Sequence, residues 1–132
     1  MTKQFPVYPE VDILKKPLDQ YPIIHVQAVI EQVEESKHGH QHLLINQVQI
    51  LDIENGDPST VTDEIFVAIR YGDGNGLPEP IPDLEAGQPI ELQGVYIPAD
   101  EAYPSEDNPG DPVIHFTHHP LGFVIYQGKL YK

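Results

Sequence analysis

Histidines are the residues of this chain most able to do chemistry, and six of the seven fall in two short clusters. K-H-G-H-Q-H occupies 37–42 and I-H-F-T-H-H occupies 114–119, with His25 standing apart. Neutral imidazole is a good ligand for Zn²⁺, Ni²⁺ or Cu²⁺, and two or three imidazoles converging on one point can hold such an ion. Alternate side chains of a strand share a side, so His38, His40 and His42 are expected to point one way. In the second cluster Ile114 and Phe116 hold the apolar parity, which leaves His115, Thr117 and His119 on the opposite face. The expected metal set is His40 and His42 with His115 and His119, with Zn²⁺ or another divalent metal as the cofactor. Thr117 and His118 complete the expected ligand-binding set. The plainer account is that histidines at a hairpin tip are simply solvated and that His118 caps the end of a strand.

Other chemistry is thinly supplied. The chain has no cysteine, which excludes disulfides, thiolate metal sites and cysteine nucleophiles. Thr117 near His115 and His118 is the one group that resembles a nucleophile beside a base. Neighbouring strand residues face opposite ways, however, so Thr117 and His118 do not form a working pair. Gly72-Asp73-Gly74-Asn75-Gly76 has the look of a phosphate cradle, yet Leu77-Pro78-Glu79-Pro80 denies it the helix N-terminus that such a loop needs. The carboxylates of 99–111, Asp100, Glu101, Glu106, Asp107 and Asp111, lack the regular spacing of a calcium loop.

Charge narrows the partners. Seven Lys and Arg against 21 Asp and Glu give a net charge of −14, and Arg70 is the only arginine. Nucleic acids are gripped through released counterions, which takes many cationic side chains, so generic nucleic acid is not an expected partner. No apolar run is long enough to span a membrane and the N-terminal stretch lacks the apolar core of an export signal. The expected setting is the cytoplasm with no membrane partner, leaving a protein partner or a second copy of the chain. The leading expectation is a non-enzymatic binding domain with a histidine-rich face that takes a divalent metal or a protein. The alternatives are a small metal- or histidine-assisted phosphodiester hydrolase and a structural or accessory subunit.

The elements that must carry these residues are strands. Fourteen prolines and ten glycines punctuate the apolar runs rather than interrupt them. Residues 1–22 carry Pro6, Pro9, Pro17 and Pro22 and read as an extended arm, with Phe5, Val7, Tyr8 and Leu14 as anchors. From Ile23 to Glu34, Ile24, Val26, Ala28 and Ile30 form a period-two apolar face. The next strand, His40 to Ile53, changes parity twice: Leu43 and Ile45, then Val48 and Ile50, then Leu51 and Ile53. A slip in parity inside one long strand predicts a bulge, which bends the strand around a small barrel. Glu64–Tyr71 and Pro89–Pro98 follow, the latter with Gly94 marking a bend or a close backbone approach. Pro112–Thr117 is the fifth strand. Phe123–Tyr126 and Lys129–Tyr131, joined by Gln127-Gly128, form a short terminal hairpin. Residues 71–87 are expected to be a loop with at most one helical turn. The expected fold is all-β: a five-stranded OB-like barrel over 23–132 with an extended N-terminal arm and a C-terminal hairpin, a small β-sandwich being the alternative.

The run Val113-Ile114-His115-Phe116-Thr117-His118-His119-Pro120, with Gly122 and the ending Gly128-Lys129-Leu130-Tyr131, resembles the end of a small bacterial family of unknown function. That family shows V-I-H-W-T-H-H-D-P and a closing G-K-x-Y. His40-Gln41 resembles its H-Q-x-F-I-L, and Gly87, Gly94 and Tyr96 match its G-D-x-V-x-x-x-G-x-Y. Here Phe116 stands for the tryptophan, His42 for the usual arginine, and the acidic residue before Pro120 is missing. The resemblance brings an OB-like domain and no established reaction, and it singles out His40, His115, His118 and His119.

Overall fold

The computed structural model describes residues 14, 16–36, 39–102 and 108–132. Seven strands appear among them: β1 (Ile23–Val33), β2 (His40–Glu54), β3 (Ile65–Arg70), β4 (Pro89–Ile97), β5 (Val113–His115), β6 (Phe123–Tyr126) and β7 (Lys129–Tyr131). The first five close on themselves in the order β1-β2-β3-β5-β4, with β4 returning to β1. Every contact in this circuit is antiparallel except β3 with β5. This is a five-stranded OB-like barrel, and closure removes the free edges that a sandwich would leave. Single 3-10 turns at Leu18–Gln20 and Pro58–Thr60 are the only helical segments among the described residues, and none of those residues forms a helix long and apolar enough to cross a membrane. The stretch 71–87 holds no helix.

The parity slips in β2 have a direct cause. Between the pairs Val29↔Asn46 and Gln27↔Gln49, β2 carries an extra residue, and Gln47 takes a left-handed φ of 52° there. The backbone N–H groups of Gln47 and Val48, pushed out of the ladder, donate to the Asp63 carboxylate at 3.3 and 3.1 Å. A second extra residue falls between Ile50 and Asp52, turning Leu51 outward and restoring Ile53 to the packed side. β1 answers with its own irregularity between Ile30 and Gln32. Each bulge tightens the local bend, and a small barrel needs that bend to close.

Two apolar clusters result. Inside the barrel lie Ile24, Val26 and Ile30 of β1, Leu43 and Ile45 of β2, and Ile65, Val67 and Ile69 of β3, with Leu92, Tyr96 and Ile114. Full burial of each such aliphatic side chain stabilises the fold by about 1.5–3 kcal/mol before entropy is counted. The opposite parity, expected to face water, is covered as well. Leu44, Phe66, Val95, Ile97 and Val113 form a second cluster with Tyr21, against which Leu14, Leu18 and Leu121 pack. Phe116, expected on the core parity with Ile114, joins this outer cluster instead because its left-handed φ breaks the alternation. Of the four expected anchors of the arm, Leu14 packs here, together with Leu18 and Tyr21; Phe5, Val7 and Tyr8 lie outside the described residues.

β5 is shorter than its sequence implies. It ends at His115 because Phe116 takes φ 59°, the left-handed region, and turns the chain away. That conformation is costly for a bulky residue, and burial of the Phe116 ring in the outer cluster offsets it. Residues 116–122 then cross to the other stretch of the same β4 edge, where β6 pairs at Glu91–Gln93. The terminal hairpin β6–β7 turns through Gln127 (φ 50°) and Gly128 (φ 80°), a pair of left-handed positions suited to a two-residue hairpin loop.

Candidate functional site

The strand register determines which histidines meet. In β3 the odd residues Ile65, Val67 and Ile69 enter the core, so Phe66, Ala68 and Arg70 face outward. β2 sets His40 opposite Arg70, His42 opposite Ala68 and Leu44 opposite Phe66. On the other side of β3, Val113 pairs with Phe66 and Ile114 with Val67, which carries His115 to the level of Ala68. Three imidazoles from β2 and β5 therefore converge on the outer wall of the barrel across β3.

The rings form a continuous train. His40 and His115 lie edge to face with centroids 5.3 Å apart, and His40 and His42 are 6.1 Å apart. Phe66 backs His42 at 4.9 Å, Phe116 backs His115 at 5.6 Å, and His118 follows Phe116 at 6.4 Å. His40 and His42 are half-buried, while His115 is only 8% exposed. These aromatic neighbours lower the local polarity around the imidazoles and restrict their rotation.

The remaining expected residues are placed differently. His119 is exposed and lies past the turn at Phe116, so the alternation that would have aligned it with His115 no longer applies. Thr117 is fully buried, and its hydroxyl donates to the Ala68 carbonyl at 3.2 Å, tying the turn to β3. His118 is buried, with Nδ1 3.0 Å from the His119 carbonyl. A carbonyl only accepts, so Nδ1 carries the proton and Nε2 is the nitrogen with the lone pair in the neutral ring. His38 lies outside the described residues. Among the described residues, no three or more histidine, aspartate or glutamate side chains stand in a geometry ready to hold a metal ion.

Two neighbours of the histidine wall carry no motif in the sequence. Arg70, the sole arginine, is 3% exposed beside His40, and its Nε donates to Asp73 Oδ2 at 2.7 Å. Burial pushes the Asp73 carboxyl up, but the Asn75 backbone N–H and the Arg70 guanidinium outweigh it and hold that carboxyl below the usual aspartate range. The GDGNG stretch thus folds back to neutralise an arginine, with Gly76 packed too close to the Arg70 backbone to accept a side chain. The other neighbour is Phe66, whose one signal is an apolar residue on the outward parity of β3.

Polar groups elsewhere make a contrasting set. On the β1–β4 side His25 Nε2 lies 2.6 Å from Glu91 Oε2, with Phe123 edge-on at 5.2 Å. At the far end of β3, Glu64 lies against Asp111 and Glu31. Its carboxyl is pushed above the usual range, first by its hydrogen bond with Asp111, with the Glu31 contact partly opposing and burial adding to the rise. Glu31 is raised in turn, mainly by Glu64.

No family model, curated protein or solved structure matches this chain. The fold and the histidine wall together define an OB-like β-barrel with a candidate recognition surface on its outer β2–β3–β5 face, where OB domains commonly place their ligands.

Proposed function

We propose that this chain is a non-enzymatic binding domain that takes a divalent transition-metal ion, Zn²⁺ or Ni²⁺, on its outer wall through His40 and His115, with His42 as third ligand. The 5.3 Å separation of the His40 and His115 rings supports this reading. Two imidazoles bound tetrahedrally to one ion at roughly 2.0–2.1 Å place their ring centres about 5 Å apart. His42, at 6.1 Å from His40, must swing in by about 1 Å to join them. Water or a ligand from a protein partner would complete the coordination.

The hydrolase alternative gains nothing from Thr117, whose hydroxyl is sealed in the protein and committed to Ala68. The same reading expects no generic nucleic acid on this wall, because the chain is at −14 and its one arginine is matched by Asp73. A cysteine-free binding domain of this kind suits the cytoplasm, the compartment proposed for it.

Titration calorimetry with Zn²⁺ tests the reading. One ion should bind per chain. His40→Ala and His115→Ala should each weaken binding by about tenfold or more, whereas His119→Ala should leave it unchanged. Affinity should fall as pH drops through about 6.5, where imidazoles protonate. If both variants bind as the wild type does, or His119→Ala is equally damaging, the wall is not a metal site and a protein-docking or purely structural role takes its place.

A further inference from the structure

A concave feature lies on the outer surface, one strand beyond His115. Register aligns Glu54 of β2, Ile23 of β1, Val95 of β4 and His115 of β5 in a single row across the sheet. The segment 18–21 crosses over the first part of this row, and Leu121 approaches from the 116–122 crossover. Between them they leave a cavity of about 450 Å³. Tyr21 and Val95, both buried, form its base, while the half-buried Leu18, Ile23 and Leu121 line its sides. Asn55, in a left-handed conformation with φ 61°, holds the covering segment by donating Nδ2 to the carbonyls of Asp19 at 3.0 Å and Tyr21 at 3.5 Å.

Among the described residues the mouth has one sign of charge. Asp19 and Glu54 are the exposed ionisable residues of the described lining, and none of the described lining residues is basic. The nearest described lysine on this segment, Lys16, lies over the Tyr21 ring at 4.7 Å and is paired with Glu101 at 3.3 Å. A cavity within the usual size range for small molecules, apolar below and anionic above, sits on a chain whose net charge of −14 adds to the same field.

We propose that this cavity binds a small amphiphilic ammonium compound, with a compact alkyl or aryl body against Tyr21, Ile23 and Val95 and a cationic head between Asp19 and Glu54. Apolar contact supplies the attraction for the body. The two carboxylates select the head, since an ammonium is drawn to the mouth while a carboxylate of the same length is repelled. The site uses none of the metal-binding side chains and does not depend on the metal reading.

The test is a titration of the ¹⁵N-labelled full chain with n-hexylammonium, hexanoate and 1-hexanol, followed by amide chemical shifts. Hexylammonium should move the Tyr21, Ile23, Val95 and Leu121 amides saturably, with hexanol weaker and hexanoate weaker than hexylammonium by about tenfold or more at low salt. In the Asp19→Asn/Glu54→Gln double variant, hexylammonium should bind no better than hexanol, and hexanol should bind as before. Both residues are exposed, so the fold should tolerate the change. In the wild type, added salt should narrow the gap between ammonium and carboxylate. Equal affinity for the two ions, shifts that do not saturate, or shifts confined to other parts of the barrel would overturn the proposal.

Discussion

A methyl group added at Gly94 puts the packing behind the histidine wall to a quantitative test. Gly94 lies on β4 opposite Ile24, beside the β5 strand that carries His115. A Cβ built there meets the His115 carbonyl oxygen at 2.5 Å, Ile114 Cγ2 at 2.7 Å and Thr117 Cγ2 at 3.1 Å. The first of these is backbone and cannot rotate away. Reaching the 3.4 Å at which ordinary contact begins means opening β4 from β5 by 0.9 Å. Overpacking of this kind costs about 1–3 kcal/mol. The alanine also restricts the unfolded chain, which returns about 0.4–1 kcal/mol where the backbone angles are compatible. The net expectation for Gly94→Ala is a loss of about 1–2 kcal/mol. In urea unfolding this lowers the midpoint by roughly 0.5–1 M at unchanged slope. Because β5 moves with its carbonyl, the His40–His115 separation should change too, and Zn²⁺ affinity should fall in the same variant. A midpoint within about 0.2 M of the wild type would show that the barrel absorbs the methyl group and that the close approach at Gly94 does not position His115.

Two further changes separate structure from binding. Thr117→Val keeps the shape but removes the buried hydroxyl that donates to the Ala68 carbonyl at 3.2 Å, so it should cost about 1 kcal/mol in urea unfolding and leave Zn²⁺ affinity unaltered; a large loss of affinity would make Thr117 part of the site. Glu64→Gln should raise the melting temperature at pH 7, because the hydrogen bond with Asp111 and burial disfavour the ionised carboxylate of the folded state. The sign follows from linkage: a raised carboxyl pKa weakens the fold where the group is charged and does not where it is protonated. The gain should shrink as the pH falls through the raised value and vanish below the ordinary 4.5, whereas a gain constant from pH 8 to pH 4 would remove the carboxylate cluster as its cause.

The barrel is legible in the chain because its inward face is written in alternation. Ile24, Val26, Ala28 and Ile30 are all buried, and the two parity changes in His40–Ile53 correspond to real bulges near Gln47 and Leu51. A bulge shifts side-chain parity by one, so it leaves its mark in the order of apolar residues along the strand. The terminal hairpin is readable for a similar reason, since Gln127-Gly128 supplies the left-handed angles that a tight loop demands.

The outer wall is much less legible. Alternation says that Phe66, Ala68 and Arg70 face away from the core, but it does not say that Tyr21, Phe116 and Leu121 come back to cover that face. The turn at Phe116 brings Phe116 and Leu121 there by replacing the last part of the expected strand with a crossover, and it takes His119 out of the alternation expected to align it with His115. Local sequence thus determined that His40 and His42 share a side, because period two is a property of any strand. That His115 meets them depended on β3 lying between β2 and β5, and a pairing between segments some 70 residues apart leaves no periodic trace along the chain. The same holds for the cavity beside Val95: its base belongs to β4 and the covering segment, and its mouth to that segment and the end of β2, so only the closed barrel brings an apolar floor under Asp19 and Glu54.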